Sequence, residues 1–221
     1  MNVGNEYLRS KNVWIENIRS LRIVCNMQMN SLTGKKILSL LREGDYAHAG
    51  GEEAILQVFS KISKDPNRSL LDVGCGIGGT AHFLNQNGWG NVLGLDIDPD
   101  NISFAHNKYS QHEFIECDVV NASQKLKRTF DIMYCINSFY AFPDKITALK
   151  SLRRLASEKT QLIIFDYVLR QGTAAAVEEG VPTNVSEQQL RSLLESTGWT
   201  VMDTMDVSSD YDRWYSELVL R

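Results

Sequence analysis

Glycines at 74, 76, 78 and 79, with an aspartate at 72, are the residues whose types and spacing bear most directly on chemistry. They lie in LLDVGCGIGGT over 70–80, an apolar run that breaks into glycine-rich sequence and then into a helix-like stretch. Glycine lacks a Cβ, so the backbone can bend sharply and come close to a ligand, a need shared by nucleotide-type cofactors at the carboxyl end of a first strand. The spacing is GxGxGG, which differs from the GxGxxG of dinucleotide sites by its added glycine at 78. Asp72 stands two residues before the first glycine, and a carboxylate there suits a cationic ligand because it would repel a pyrophosphate. Two further carboxylates end apolar runs: Asp96 closes VLGLD over 92–96, and Asp118 closes FIECD over 114–118.

Alternating strands and helices must hold these residues. From 69 onward, strand-like runs at 69–74, 91–97, 113–118, 130–136 and 161–168 alternate with helical stretches near 80–87, 99–109, 121–127 and 143–156. That order builds β-α-β units and a parallel sheet. After a linker at 172–184, Ser186 caps a helix ending at Gly198, and 200–207 with 214–220 read as a closing antiparallel pair. Two strands with no helix between them distinguish this ending from a nucleotide-binding dehydrogenase. The first sixty residues read as helical, from Tyr7, Leu8, Trp14, Ile15 and Ile18 and again from Ile37, Leu38, Leu40 and Leu41. Between these and a helix over 52–62 lies GDYAHAGG (44–51), whose Tyr46 and His48 are unusual in a mere connector. The expected division is a helical cap or lid over 1–63 and a ligand-binding domain over 64–221.

At 221 residues and a formal charge of -4, with no run of Lys and Arg longer than two, the chain lacks the concentrated positive field that tracks a phosphate backbone. Nucleic acid is not an expected partner. The N-terminal twenty residues carry no unbroken apolar stretch, so neither a signal peptide nor a membrane association is expected, and the location expected is cytoplasmic. Cys25, Cys75, Cys117 and Cys135 form no CxxC pair, and no metal site is expected. His82, His106 and His112 match no carboxylate or cysteine spacing and read as structural.

The glycine turn with its preceding acid resembles the first motif of the class I S-adenosylmethionine-dependent methyltransferases, and the likeness spans roughly 45 to 221. The resemblance implies a doubly wound α/β fold: a mostly parallel, seven-stranded Rossmann-like sheet with its last strand antiparallel, plus the N-terminal helical cap. It also implies S-adenosylmethionine as cofactor and S-adenosylhomocysteine as product. Asp72, Gly74, Cys75, Gly76 and Gly78 would line the cofactor. Asp96, with Ile97 beside it, would accept from the ribose hydroxyls, since Asp98 before Pro99 reads instead as a helix cap. Asp118 would accept from the adenine amino group, with Val119 against the ring, although Asp118 also suits a helix cap. Asn137 to Tyr140 would lie near the methionine moiety and substrate.

Methyl transfer needs chiefly positioning and exclusion of water; where the acceptor must lose a proton, Tyr46, His48 or Tyr140 are the candidate bases. The loop 44–51 and the 208–214 segment look like those of small-molecule methyltransferases acting on sarcosine, dimethylglycine or phosphoethanolamine. The expected partner is a small-molecule acceptor, an amine nitrogen first, recognised by aromatic rings drawn from Tyr46, Phe139, Tyr140, Tyr211 and Trp214. O-methylation of a phenol or carboxylate, an NAD-dependent oxidoreductase and a non-catalytic S-adenosylmethionine binder stay open as alternatives. The chain is expected to act as a monomer or homodimer.

Overall fold

The computed structural model describes residues 32–41, 44–169 and 185–219. The helix expected around Tyr7 to Ile18, Cys25 and the whole 172–184 linker lie outside the described residues.

Among the described residues two helices come first, α1 (Leu32–Leu41) and α2 (Gly51–Val58), and then the alternation begins. It runs β1 (Ser69–Val73), α3 (Gly79–Gln86), β2 (Asn91–Asp96), α4 (Pro99–Lys108), β3 (Glu113–Glu116), α5 (Ala122–Lys125), β4 (Phe130–Ile136), α6 (Lys145–Arg154) and β5 (Ala156–Phe165). Helices α7 (Glu187–Ser196) and α8 (Ser208–Val219) follow. The sheet has the order β3-β2-β1-β4-β5, every pair parallel. Sequential strands build outward on one side of β1, and the chain then crosses to the other side. The switch falls between β1 and β4, where a crevice opens at the strands' carboxyl ends.

Strand β1 is apolar and buried from Leu70 to Val73 except for Asp72 because helices cover both faces. On one face Leu70, Ile132, Tyr134 and Phe165 pack with Ile55 of α2, Phe59 just after it, Leu84 of α3 and Trp214 of α8. On the other, Leu71, Val73, Met133 and Cys135 pack with Leu149 and Leu152 of α6, and Leu190, Leu193 and Leu194 of α7 rest against them. The doubly wound α/β class is present. Local rules set several helix starts: Asp98 accepts from Asp100 N and Asn101 N with Pro99 behind it, and Ser186 and Gln189 form a reciprocal capping box.

The sheet corrects the expected architecture at its end. Among the described residues it has five strands, and the closing antiparallel pair is not formed: 200–207 has no regular structure and Ser208–Val219 is a helix. Tyr and Trp in this segment favour strands locally. Here, however, Tyr211, Trp214 and Tyr215 recur at helical spacing, Trp214 is buried in the core, and Arg213 pairs with Asp210 and Glu217 one turn away on either side. Strand β5 also starts at 156 and stops at 165, earlier at both ends than expected. No helix among the described residues is long and apolar enough to cross a membrane.

Candidate active site

The turn from β1 into α3 has φ of 80° at Gly74, 55° at Gly76 and 87° at Gly78, which L side chains rarely adopt. Gly74 N and Cys75 N donate to Leu95 O at 2.7 and 2.9 Å, tying the turn to the end of β2. The glycines answer different needs. A Cβ at Gly74 would meet Ser138 at 2.5 Å and one at Gly78 would meet Phe114 at 2.8 Å. At Gly76 the three nearest atoms are the flexible end of Lys35, at 3.3 to 3.6 Å. Close approach from outside the fold is therefore open at Gly76, while packing inside the fold requires glycine at 74 and 78.

Asp96 sits at the carboxyl end of β2, buried, with its carboxylate turned to the turn. Its Oδ2 accepts from Gly76 N at 2.7 Å. Its Oδ1 accepts from Asp98 N at 3.0 Å and Asn101 Nδ2 at 3.5 Å. Ile97, next in the chain, is 65% exposed. Asp118 lies two residues past β3, and its Oδ1 accepts from Val120 N at 3.1 Å, so the capping role is present. Val119 is buried in the core cluster of the α6 face.

Asp72 is only 3% exposed, and its Oδ2 has no hydrogen-bond partner of good geometry; the same holds for the hydroxyl of Tyr134, its cross-strand neighbour. Burial pushes the Asp72 carboxyl up to about 8, and the Asp96 charge adds to the rise. Its folded pKa thus stands above the unfolded value of about 3.9. The folded state then holds a proton that the unfolded chain releases, so this group's stabilisation is full below about pH 4 and fades as pH rises through about 8. Asp72→Asn is expected to flatten the decline in thermal midpoint of the unliganded protein between pH 5 and 8. Parallel slopes for the variant and the wild type would mean that Asp72 is ionised in the fold.

At the end of β4, Asn137 has φ 50°, the one left-handed non-glycine among the described residues, and asparagine tolerates that better than most. Its Oδ1 accepts from Tyr211 Oη at 2.7 Å, and Tyr167 and Tyr215 share a hydroxyl hydrogen bond at 2.8 Å. Tyr167 stands edge-on to Tyr140 at 6.2 Å and to Tyr211 at 5.3 Å. Below them Asp166 accepts from Tyr140 N at 2.9 Å and Tyr167 N at 2.8 Å. Burial raises the Asp166 carboxyl to about 6. The aromatic group expected from sequence is therefore partly reassigned. Tyr140 and Tyr211 belong to it, but Phe139 is buried on the α6 face and Trp214 lies against Gly50, where a Cβ would meet its ring at 2.5 Å. Tyr167 and Tyr215 were missed; an Asp-Tyr pair directly after the last parallel strand was the available signal.

The loop 44–51 docks over the start of α3. Asp45 accepts from Ser39 Oγ at 2.7 Å and Tyr109 Oη at 2.5 Å and pairs with Lys108 Nζ at 2.5 Å. Although burial alone would raise its carboxyl, the hydrogen bonds from Lys108, Tyr109 and Ser39 hold it below the ordinary carboxylate range. His48 is buried, Nδ1 on Ala49 O at 3.0 Å and Nε2 on Thr80 Oγ1 at 3.2 Å. Tyr46 donates to Glu52 Oε1 at 3.1 Å, and burial followed by the Glu52 charge pushes its phenol well up. Helix α8 clamps this region: Arg213 holds Glu53, Trp214 Nε1 donates to Glu53 Oε2 at 3.0 Å, and Gln57 Nε2 donates to Asp210 Oδ2 at 2.9 Å.

A parallel sheet with a glycine turn at its switch point and acids ending β1 and β2 is the architecture of a nucleoside-binding α/β enzyme. A family profile described as a methyltransferase domain matches residues 46–204, more than half of the chain. The chain belongs to that family, within the class I S-adenosylmethionine-dependent methyltransferases. An O-methyltransferase of Pyrenophora dematioidea is 27% identical over 174 residues, covering 71% of this chain and 63% of its own length. Phosphoethanolamine N-methyltransferase 1 of Triticum aestivum is 26% identical over 155 residues, 69% of this chain and 31% of its own length. The chain thus spans less than two thirds of either. In fold it is similar to the Haemonchus contortus phosphoethanolamine N-methyltransferase 2 in complex with S-adenosyl-L-methionine, with a TM-score of 0.78 over 90% of this chain and 49% of that one, at 15% identity.

Proposed function

We propose that this protein transfers a methyl group from S-adenosylmethionine to the nitrogen of a small amine, leaving S-adenosylhomocysteine. The observation that carries the reading is the convergence of the 74–78 turn and Asp96 on one side of the crevice with four tyrosines around Asn137 on the other. The residues suit the cofactor: Gly76 leaves its backbone approachable, and Asp72 holds a buried oxygen without a partner beneath the turn. Gly74, Cys75, Gly76 and Gly78 would cradle it, Asp96 and Ile97 would take the ribose side, Asp118 and Val119 the adenine, and Asp72 and Asn137 the methionine end. When bound, it supplies an electrophilic methyl on a cationic sulfur.

The remaining work falls to the chain. In this reading the described part of the expected lid that keeps water out is α1 with the loop 44–51, and 64–221 carries both binding sites. Tyr140, Tyr167, Tyr211 and Tyr215 present ring faces and hydroxyls suited to an alkylated ammonium. The amine must reach its neutral form before its lone pair can attack. Among the three base candidates, Tyr140 lies in this cluster, whereas His48 and Tyr46 hold the loop through Thr80 and Glu52. Tyr140→Ala and Tyr167→Ala are each expected to raise the apparent KM for the amine about fivefold, with a smaller change in kcat. Unchanged kinetics in both variants would remove the aromatic end from the acceptor site.

A panel of small amines, phenols and carboxylates with labelled methyl donor tests the reading, with amines expected to take up label. A second reading, O-methylation of a small phenol, draws on the same rings, which can also stack an aromatic acceptor, and on the name of the Pyrenophora relative. Calorimetry against NAD is expected to show no binding, and a binder without turnover would leave the whole acceptor panel unlabelled.

A further inference from the structure

Lys35, on α1, stands at the point where the turn and the β2 carboxylate meet. Its Nζ lies 3.7 Å from Asp96 Oδ2, and only 12% of its side chain is exposed. Its Nζ, Cε and Cδ lie 3.3, 3.5 and 3.6 Å from the place a Cβ on Gly76 would take. The Asp96 carboxylate already accepts from Gly76 N, Asp98 N and Asn101 Nδ2, all fixed by the fold. Of the groups on that carboxylate, the Lys35 ammonium is the one that can leave without unfolding the turn. At 3.7 Å it makes an ion pair, not a hydrogen bond, so it is the weakest hold on that carboxylate, and a ligand that hydrogen-bonds Asp96 offsets its loss.

Among the described residues, helix α1 is tied by Ser39 Oγ to Asp45 at 2.7 Å, by Gly44 N to Ser39 O at 3.1 Å, and by Lys36 Nζ over the Phe104 ring of α4 at 5.0 Å. Leu40 on the same helix is 80% exposed. A helix secured in this way can shift by a side chain's length without loss of the core.

We propose that Lys35 is a tethered stand-in cation: it occupies the ribose-side acceptor of the crevice, and a nucleoside must displace it to bind Asp96. This rests on the cofactor reading above. Asp96 accounts for the lysine's place. With Asp72 holding its proton, the Asp96 carboxylate carries the negative charge at the end of β2, and the chain neutralises it with its own cation until a ligand takes over. The device taxes every ribose-bearing ligand equally, because the fraction of molecules with Asp96 free sets the apparent affinity.

Calorimetry with adenosine, S-adenosylhomocysteine and S-adenosylmethionine tests it on the full chain. Lys35→Gln is expected to tighten all three by about fivefold, the loss of a partly buried ion pair, and Lys35→Arg is expected to leave them near wild type. In the wild type, saturating S-adenosylhomocysteine is expected to speed acetylation of Lys35 by acetic anhydride, read by mass spectrometry. Unchanged or weaker affinity in Lys35→Gln, or slower acetylation on binding, overturns the proposal while leaving the cofactor site standing. Tightening confined to S-adenosylmethionine also overturns it, since that would mean charge repulsion of the sulfonium, not occupation of the ribose side. A wild type that binds none of the three sinks the cofactor reading, and this proposal with it.

Discussion

Replacing Asp96 by Ala is expected to weaken binding of S-adenosylmethionine about 5- to 150-fold, the roughly 1 to 3 kcal/mol of a lost charged acceptor. The carboxylate does two things at once. It holds the turn through Gly76 N at 2.7 Å and the start of α4 through Asp98 N at 3.0 Å, and in the proposed reading it accepts from the ribose. Removing it leaves the buried Gly76 N–H unpaired as well, so the melting temperature should also fall. Asp98→Ala separates the two neighbours: it strips the cap from Asp100 N and Asn101 N, which should cost about 1 kcal/mol of stability with affinity nearly intact. Calorimetry and thermal melts on both variants decide. Equal loss of affinity in the two would return the ribose role to an open contest between them.

Gly79→Ala is expected to cost about 2 to 4 kcal/mol of stability together with most of the activity. The new Cβ would fall on the backbone carbonyl of Asp45, which cannot swing aside as a side chain tip would. The loop 44–51 would have to lift from α3, breaking the contact of His48 with Thr80 and straining the grip of Lys108 and Tyr109 on Asp45. Tyr46 and His48 would move with it. A thermal melt and a turnover assay of the variant check this, and a near-wild-type result in both would mean the loop does not need its seat on α3.

Much of this arrangement is legible without coordinates because it depends on neighbours in the chain. The run 70–80 announces a buried strand entering a turn that only glycine can make. Asp98 before Pro99, and Ser186 three residues before Gln189, announce helix starts, because a side-chain acceptor at that offset satisfies backbone donors that the helix leaves open. Asp96 is readable as the last residue of an apolar run. Each of these follows from spacing and local hydrogen bonding.

Other features were settled only by packing between distant segments. The residues of 208–219 suit a strand as well as a helix by local preference. The outcome was decided by Trp214 settling over Gly50 and Arg213 reaching Glu53, about 160 residues away in the chain. Gly79 looks like one more glycine of a motif until Asp45 is seen against it. Tyr167 and Tyr215 meet across 48 positions, and Lys35 meets Asp96 across 61, with no pattern in between to announce either contact. Spacing along the chain determines which backbone groups a residue can satisfy locally, whereas a site assembled from helix, loop and strand ends exists only once burial has chosen which faces come together.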